Sequence, residues 1–373
     1  MKLLHVVPSF GLGGMEKVLC SVINALPGSC QQGVLSLTGE QSASRWIQQR
    51  NLTFVPFVRP EGNARYFQAL LKTLKQCAPD VLMTYNWGAT DAIWLGRLCG
   101  ISTILHSEHG FNVDEAVSTQ WKRNAIRFLV YRLATRLIVV SQDLKQMIET
   151  QFGIHADRVL FIPNGIDTEY YAPHVYDREK MRDELGLRNT DFVIGYSGRL
   201  DPVKNFPFMM DMFKHCVQED SNCKLVLIGD GPEKTFIDKF SQEHGLQEHV
   251  VCVGQKDRVL PYLQALDVFT LTSFREQMPM SMLEAMAVGI PVVAAAVGEI
   301  PTILKEQEAG LLFDTSQGAK AFSQGLLSLR NVDIRQRMGK TARNIVATRF
   351  QKQTMLRNYL DLFDSVSGEK WAS

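Results

Sequence analysis

The chain has 373 residues, 45% hydrophobic and 21% charged, with a formal net charge of +1. That length exceeds one ordinary core and points to two domains, and the near-neutral balance removes the usual electrostatic reason to expect a nucleic-acid partner. Seven cysteines, odd in number and without a C-x-x-C pair, argue against a disulfide framework and against structural zinc. No apolar run approaches the ~20 residues that span a bilayer, and the opening MKLLHVV is too short for a signal-peptide core, so a cytoplasmic location is expected.

Short apolar runs alternate with helix-period segments along almost the whole chain, the pattern of parallel strands joined by crossover helices. Strands are predicted at Leu3–Val7, Gly33–Leu37, Val81–Thr84, Ser102–Leu105 and Leu137–Val140, with helices at Gly14–Leu26, Ala64–Cys77, Thr90–Cys99 and Thr119–Ala134 between them. Ser141 is placed to cap a further helix, Gln142–Gln151. Turn chemistry in Ile162–Tyr176 (Pro163, Asn164-Gly165, Pro173) marks a boundary. A second series follows, with strands predicted at Phe192–Ser197, Lys224–Ile228, Val250–Val253, Val268–Leu271 and Val292–Ala295, and helical pattern from Gln317 onward. Two consecutive doubly wound α/β units, each with its strand ends toward a cleft, is the economical architecture.

Chemistry-bearing residues fall in the loops at strand ends. The first strand runs into Pro8–Glu16, whose glycines let backbone approach an anion at a helix N-terminus. Gly11-x-Gly13 also opens a dinucleotide fingerprint, but the third glycine would fall at Glu16, and a plain tight turn fits as well. His106-Ser107-Glu108-His109-Gly110 follows the fourth strand; His109 beside a glycine turn suits contact with a substrate hydroxyl, and the sequence supplies no third ligand for a metal there. No Asp-x-Asp occurs to hold Mg²⁺ or Mn²⁺. Arg199 and Lys204 lie across a proline turn at the end of Phe192–Ser197, where a guanidinium fork and an ammonium can converge on a diphosphate, although for either alone solvated surface charge is the favoured reading.

Glu276 and Glu284 stand on either side of a helix start, with Pro279 expected at the first helical position and no Ser, Thr, Asp or Asn just before it to cap the free amides. Such an end suits a phosphate, and the flanking carboxylates suit sugar hydroxyls; an ordinary loop–helix–strand unit with two solvated glutamates also fits. From Ala116 to Gln142 there is no acidic residue, while Lys122, Arg123, Arg127, Arg132 and Arg136 accompany Trp121 and Tyr131. Ile126, Leu129, Val130 and Leu133 share one helical face there, which fits either an interfacial helix on anionic lipid or a helix packed on its own sheet with a charged rim.

Taken together, these loops resemble retaining glycosyltransferases of the GT-B fold, glycosyltransferase family 4. The markers are G-G-M-E after the first strand, P-N-G-I-D at Pro163–Asp167, G-R-L-D-P-V-K-N at Gly198–Asn205, I-G-D-G-P-E at Ile228–Glu233, and Glu276 and Glu284 followed by E-A-M-A-V-G-I-P-V-V. The resemblance implies two Rossmann-like domains, an acceptor-binding one over 1–170 and a donor-binding one over 171–350, with residues 351–373 as a helix returning to the first. It implies Arg199, Lys204, His109 and Glu276 as catalytic, with Gly13 and Gly14 offering amides to donor phosphates. Donor contacts are further implied at Gly254 and Gln255 (base), Met278, Pro279 and Met280, Glu276 (transferred sugar) and Glu284 (ribose). Asn86, His109 and Glu16 are implied on the acceptor side. Pro279 occupies a slot often filled by glycine, and Gly298-Glu299 one often filled by Gly-Gly.

The implied reaction is metal-independent transfer, with retention, from a nucleotide-diphosphate sugar to a glycan or lipid-linked acceptor in polysaccharide or glycolipid synthesis. No cofactor is called for beyond the donor, a UDP-sugar rather than a GDP-sugar. Its place would be the cytoplasm or the inner membrane face, with Trp121–Arg136 as the possible lipid contact and no nucleic-acid partner. A nucleotide-sugar epimerase on the same architecture, or a non-catalytic sugar-nucleotide-binding subunit, are the alternatives; an assay without acceptor separates the first, and the presence of all four charged donor residues speaks against the second.

Overall fold

The computed structural model describes residues 1–110, 121–173, 176–304 and 308–368. Part of the expected helix Thr119–Ala134, of the acidic-free stretch from Ala116, and of the loop Gly110–Ala116 therefore lies outside the described residues. The chain forms two compact units, Met1–Gly165 with Gln353–Ser373, and Ile166–Lys352.

The first unit is built on a seven-stranded sheet of β1 (Lys2–Val7), β2 (Gln31–Ser36), β3 (Leu52–Phe54), β4 (Val81–Tyr85), β5 (Thr103–Glu108), β6 (Arg136–Val139) and β7 (Val159–Phe161), in the order β3-β2-β1-β4-β5-β6-β7. All its pairings are parallel. The central strands are buried on both faces, which is why they read as continuous apolar runs instead of alternating ones. Crossover helices close on them with regular spacing: Tyr66, Leu70 and Leu74 of Asn63–Cys77 recur every fourth residue and are buried. Ser141 caps Gln142–Gln151 as expected, its Oγ accepting from Leu144 N at 3.2 Å. The last helix, Lys352–Ser367, belongs to this unit from its second residue on and buries Met355, Tyr359, Leu362 and Phe363.

The second unit carries β8 (Phe192–Ser197), β9 (Cys223–Ile228), β10 (Val250–Cys252), β11 (Val268–Leu271), β12 (Val292–Ala295) and β13 (Gly310–Phe313), again all parallel, in the order β10-β9-β8-β11-β12-β13. The helix Met280–Val288 is buried all round from Met282 to Val288 and ends at Gly289, whose φ of 86° gives the left-handed cap. Ile166 pairs with Gln351 in an isolated parallel bridge, so the two chain passages out of this unit leave side by side.

Two expectations are corrected. β3, β7 and β13 were not among the predicted strands; they are three or four residues long and only partly buried, too short to show a period. Pro279 is the residue before the helix, with φ −70° and ψ 108°, and Met280 is the first helical residue.

In each sheet the strand order reverses beside the first strand, between β1 and β4 and between β8 and β11. Loops at the carboxyl ends of strands flanking such a point line the ligand crevice of doubly wound folds. In the first unit these loops hold Pro8–Gly13 and Asn86; in the second they hold Arg199–Lys204 and Glu276.

One buried group on β1 makes stability depend on pH. His5 is fully buried, its Nδ1 2.9 Å from the Tyr85 hydroxyl, and burial lowers its pKa from 6.5 to about 4. The folded state thus binds fewer protons than the unfolded one between those values, so stability present above pH 6.5 is lost as pH falls toward 4. That separation corresponds to roughly 3 kcal/mol. The melting temperature should fall between pH 7 and pH 5, and His5→Gln should flatten that dependence; an unchanged slope in the variant would assign acid sensitivity elsewhere.

Candidate active site

In the second unit the switch-point loops are tied together through backbone and side chains. Phe274 N donates to Val203 O at 2.9 Å, and Thr272 Oγ1 donates to Lys204 O at 3.0 Å. This brings Lys204 Nζ to 2.6 Å from Glu276 Oε1, which also accepts from Ser273 Oγ at 2.7 Å. Glu276 is buried while Lys204 keeps partial exposure, so the ammonium is held at the surface of the loop pair, in reach of an arriving anion. The free amides at the start of Met280–Val288 follow directly, because Pro279 has no side-chain cap to offer. Glu284, on the second turn of that helix, is buried and accepts from the Tyr171 hydroxyl at 2.9 Å. Burial and then the Glu284 charge push the Tyr171 phenol well up, so it stays a donor.

Close backbone approach explains the glycines of I-G-D-G. A Cβ on Gly229 would stand 1.9 Å from Gly198 O, and one on Gly231 would stand 2.6 Å from Leu200 O. The loop after β9 therefore lies flush against the loop carrying Arg199. Arg199 itself is largely exposed, with Nε 3.3 Å from Asp201 Oδ2. Gly254 and exposed Gln255 follow β10 at the sheet edge, two strands from β8. Met278 is buried, and Met280 is half-buried.

In the first unit, Gly13 is the extended residue before the helix Gly14–Ala25, without a side-chain cap, and Gly14 is exposed. The Glu16 carboxylate folds back onto this helix start: a Cβ on Gly13 would meet Glu16 Oε2 at 2.4 Å. Burial raises the Glu16 pKa to about 7. Asn86 adopts φ 53° and ψ 174°, a region costly for a residue with a side chain. Its side chain joins three elements, accepting from His109 N at 2.7 Å and donating to Met15 Sδ at 3.3 Å. His109 Nε2 lies 3.0 Å from Ser107 Oγ, while its Nδ1 is buried without a hydrogen-bond partner. Burial lowers the His109 pKa to about 4, so the ring is neutral near pH 7.

Below His109, Glu108 accepts from Tyr131 OH at 2.7 Å and lies 3.6 Å from His106 Nε2. Burial pushes its pKa up, yet His106 and the Arg127 guanidinium outweigh this and hold it below the usual value. His106 Nδ1 is 2.8 Å from Thr84 Oγ1, consistent with a structural role for that ring. Among the described residues no three His, Cys, Asp or Glu side chains gather as metal ligands.

The structure thus brings Lys204, Glu276 and the Pro279 helix start together in one unit, and Asn86 and His109 in the other. Sequence reasoning missed Ser273, Thr272 and Tyr171. Ser273 and Thr272 stand just before Glu276 and were within reach of a local reading; Tyr171, 113 positions from Glu284, left no signal.

Residues 12–170 match the profile described as Glycosyltransferase Family 4, and residues 177–345 that of Glycosyl transferases group 1. The chain is 25% identical, over 79% of its length and 78% of the relative's, to the UDP-Gal:alpha-D-GlcNAc-diphosphoundecaprenol alpha-1,3-galactosyltransferase of Escherichia coli. It is 24% identical to the putative glycosyltransferase EpsF of Bacillus subtilis, over 83% of this chain and 82% of that one. The Anabaena HepE structure in complex with UDP-glucose superposes with a TM-score of 0.83 at 20% identity, covering 98% of this chain and all of that one, a likeness of fold. With both halves matched in order and each unit built on a wholly parallel sheet, the chain belongs to the family 4 glycosyltransferases, enzymes of the group 1 type built on the GT-B fold.

Proposed function

We propose that this glycosyltransferase moves a hexosyl unit, with retention of anomeric configuration and without a metal ion, from a UDP-sugar to a glycan or lipid-linked saccharide in polysaccharide or glycolipid synthesis. The observation that carries this is the 2.6 Å contact of Lys204 Nζ with Glu276 Oε1, three residues before the uncapped helix start at Pro279. Lys204, Arg199 and the free amides of that helix take up charge on the departing diphosphate, where preorganised donors count most. Glu276, fixed by Lys204 and Ser273, orients the transferred sugar through its hydroxyls, and Glu284 with Tyr171 holds the ribose. Met278, Pro279 and Met280 line the sugar phosphate, and Gly254 and Gln255 the base.

The first unit supplies the acceptor side. Neutral His109, positioned by Asn86, offers its unmet Nδ1 to a sugar hydroxyl, and Glu16 binds the acceptor, while Gly13 and Gly14 offer amides to donor phosphate. The departing phosphate assists deprotonation of the incoming hydroxyl, since no second carboxylate is assigned to a double displacement. The reading extends to the site of action, the inner face of the membrane, where Trp121–Arg136 would meet anionic lipid.

Incubation with a panel of UDP- and GDP-sugars should give slow donor hydrolysis and thermal stabilisation with UDP-sugars. With a saccharide acceptor, NMR should show a product of the donor's anomeric configuration, and EDTA should leave the rate unchanged. Inversion, or loss of turnover on chelation, would remove the corresponding part of the proposal; epimerised free donor without acceptor would replace it.

A further inference from the structure

His109 stands one residue beyond β5, and successive strand residues point to opposite faces, so it shares a face with Ser107 two positions earlier. His106 and Glu108 fall on the other face, in the network with Thr84 and Tyr131. Ser107 is fully buried, and its Oγ lies 3.0 Å from His109 Nε2. Its register partners on β4 and β6 are Tyr85 and Ile138. The Ile138 side chain has no polar atom, and the Tyr85 hydroxyl is already 2.9 Å from His5 Nδ1. The remaining neighbour comes from the last helix, Lys352–Ser367. Its Tyr359 is buried and brings its hydroxyl within hydrogen-bonding reach of Ser107.

We infer that Tyr359 and Ser107 are positioning residues that hold His109 in its Nδ1–H tautomer, so that the ring donates a hydrogen bond to a sugar hydroxyl and takes no proton from one. The inference rests on the proposed contact of His109 with the sugar and adds the direction of that contact. A buried hydroxyl carries one hydrogen and needs an acceptor for it. A phenol is more acidic than an alcohol, hence the better donor and the poorer acceptor, so Tyr359 donates to Ser107 Oγ. The Ser107 hydrogen then has the Nε2 lone pair of His109 as its acceptor. The reverse order, Nε2–H donating to Ser107, would turn the serine hydrogen onto the phenol and leave the Tyr359 hydrogen unmet, a costly state for a buried donor. With Nε2 accepting, the proton of the neutral ring sits on Nδ1. Nδ1 is buried and has no hydrogen-bond partner among the described residues, so it is the one donor of this relay still to be met. Asn86 Oδ1 meanwhile holds the His109 main chain at 2.7 Å, so the ring is fixed before a substrate arrives. A histidine committed to donating leaves the acceptor's proton to another group, in keeping with the departing phosphate taking it.

Two-bond nitrogen–proton correlation NMR of the full chain with isotope-labelled histidine tests this, the His109 signals being identified by their loss in His109→Gln. A protonated Nδ1 and a bare Nε2 are expected near pH 7. A protonated Nε2 in the wild type would overturn the inference, and that result needs no variant of the relay to fold. Tyr359→Phe and Ser107→Ala should each mix the two tautomers. Each should also lower kcat about tenfold, the worth of one hydrogen bond, with the donor KM little changed. Because both act through one relay, Tyr359→Phe should have no further effect on kcat in the Ser107→Ala background, whereas unrelated structural losses would multiply. Multiplying losses, or an Nδ1–H ring unchanged in both variants, would remove these two residues from the role. An Nδ1–H ring in a protein that transfers no sugar would keep the tautomer and remove the proposed activity alone.

Discussion

Lys204→Ala is expected to lower turnover on the preferred UDP-sugar by about 10²–10³-fold, the range seen when one preorganised donor to developing charge is removed. The ammonium is placed by backbone: Asn205 in the left-handed region (φ 56°) turns the chain after Lys204 and caps the following helix, Phe206–Glu219, its side chain accepting from Phe208 N. Thr272 Oγ1 holds the Lys204 carbonyl from the Glu276 loop. None of these bonds uses the Lys204 side chain, so the alanine variant should keep its fold, with a lowered melting temperature because buried Glu276 loses its cation. Glu276 retains Ser273, which keeps the carboxylate from being orphaned. Lys204→Arg should recover only part of the rate, because a planar fork cannot take the position of a point charge at 2.6 Å from Oε1. Steady-state kinetics with a saturating acceptor would decide: near-normal kcat in Lys204→Ala removes leaving-group stabilisation by this residue. A fall confined to KM would reassign it to ground-state binding.

The two parallel sheets were legible because their central strands are buried on both faces and so leave unbroken apolar runs such as Phe192–Ser197 and Val81–Tyr85. The edge strands β3, β7 and β13 were not, since a half-covered strand of three or four residues is set by its neighbour's register more than by its own composition. The charged candidates Arg199, Lys204 and Glu276 could be singled out because strand-end loops beside a topological switch are few. What periodicity could not supply was direction. Ile126, Leu129, Val130 and Leu133 do share a face, yet only Val130 is buried, because Arg127 on Trp87 and Tyr131 on Glu108 take the inward side. Tyr171 was invisible for the opposite reason: its partner is fixed by tertiary packing, with Arg343 Nη1 holding the Tyr171 carbonyl at 3.1 Å.

Gly298→Ala is expected to damage the site although Gly298 brings no side chain to it. Gly298 follows β12 with φ 54°, and a Cβ there would stand 1.5 Å from the Glu276 carbonyl oxygen and 3.5 Å from the Gln277 Cα. Glu299 N donates to Gln277 O at 3.3 Å, so the segment after β12 and the Glu276 loop are laid backbone on backbone. The obstacle is main chain, which cannot rotate aside as a side-chain tip can; the Glu276 loop must shift, taking its carboxylate away from Lys204. A displacement near 1 Å in such a site costs about 10²-fold. The left-handed conformation adds about 1–2 kcal/mol on its own. Gly245→Ala separates the two costs, because Gly245 has φ 66°, near the 54° of Gly298, yet nothing within 4 Å of an added Cβ. Both variants should lose similar stability from backbone preference, while only Gly298→Ala should lose kcat/KM by about two orders of magnitude. If the two variants were equally active, contact between these backbones would not be what positions Glu276, and its placement would fall to Ser273 and Lys204 alone.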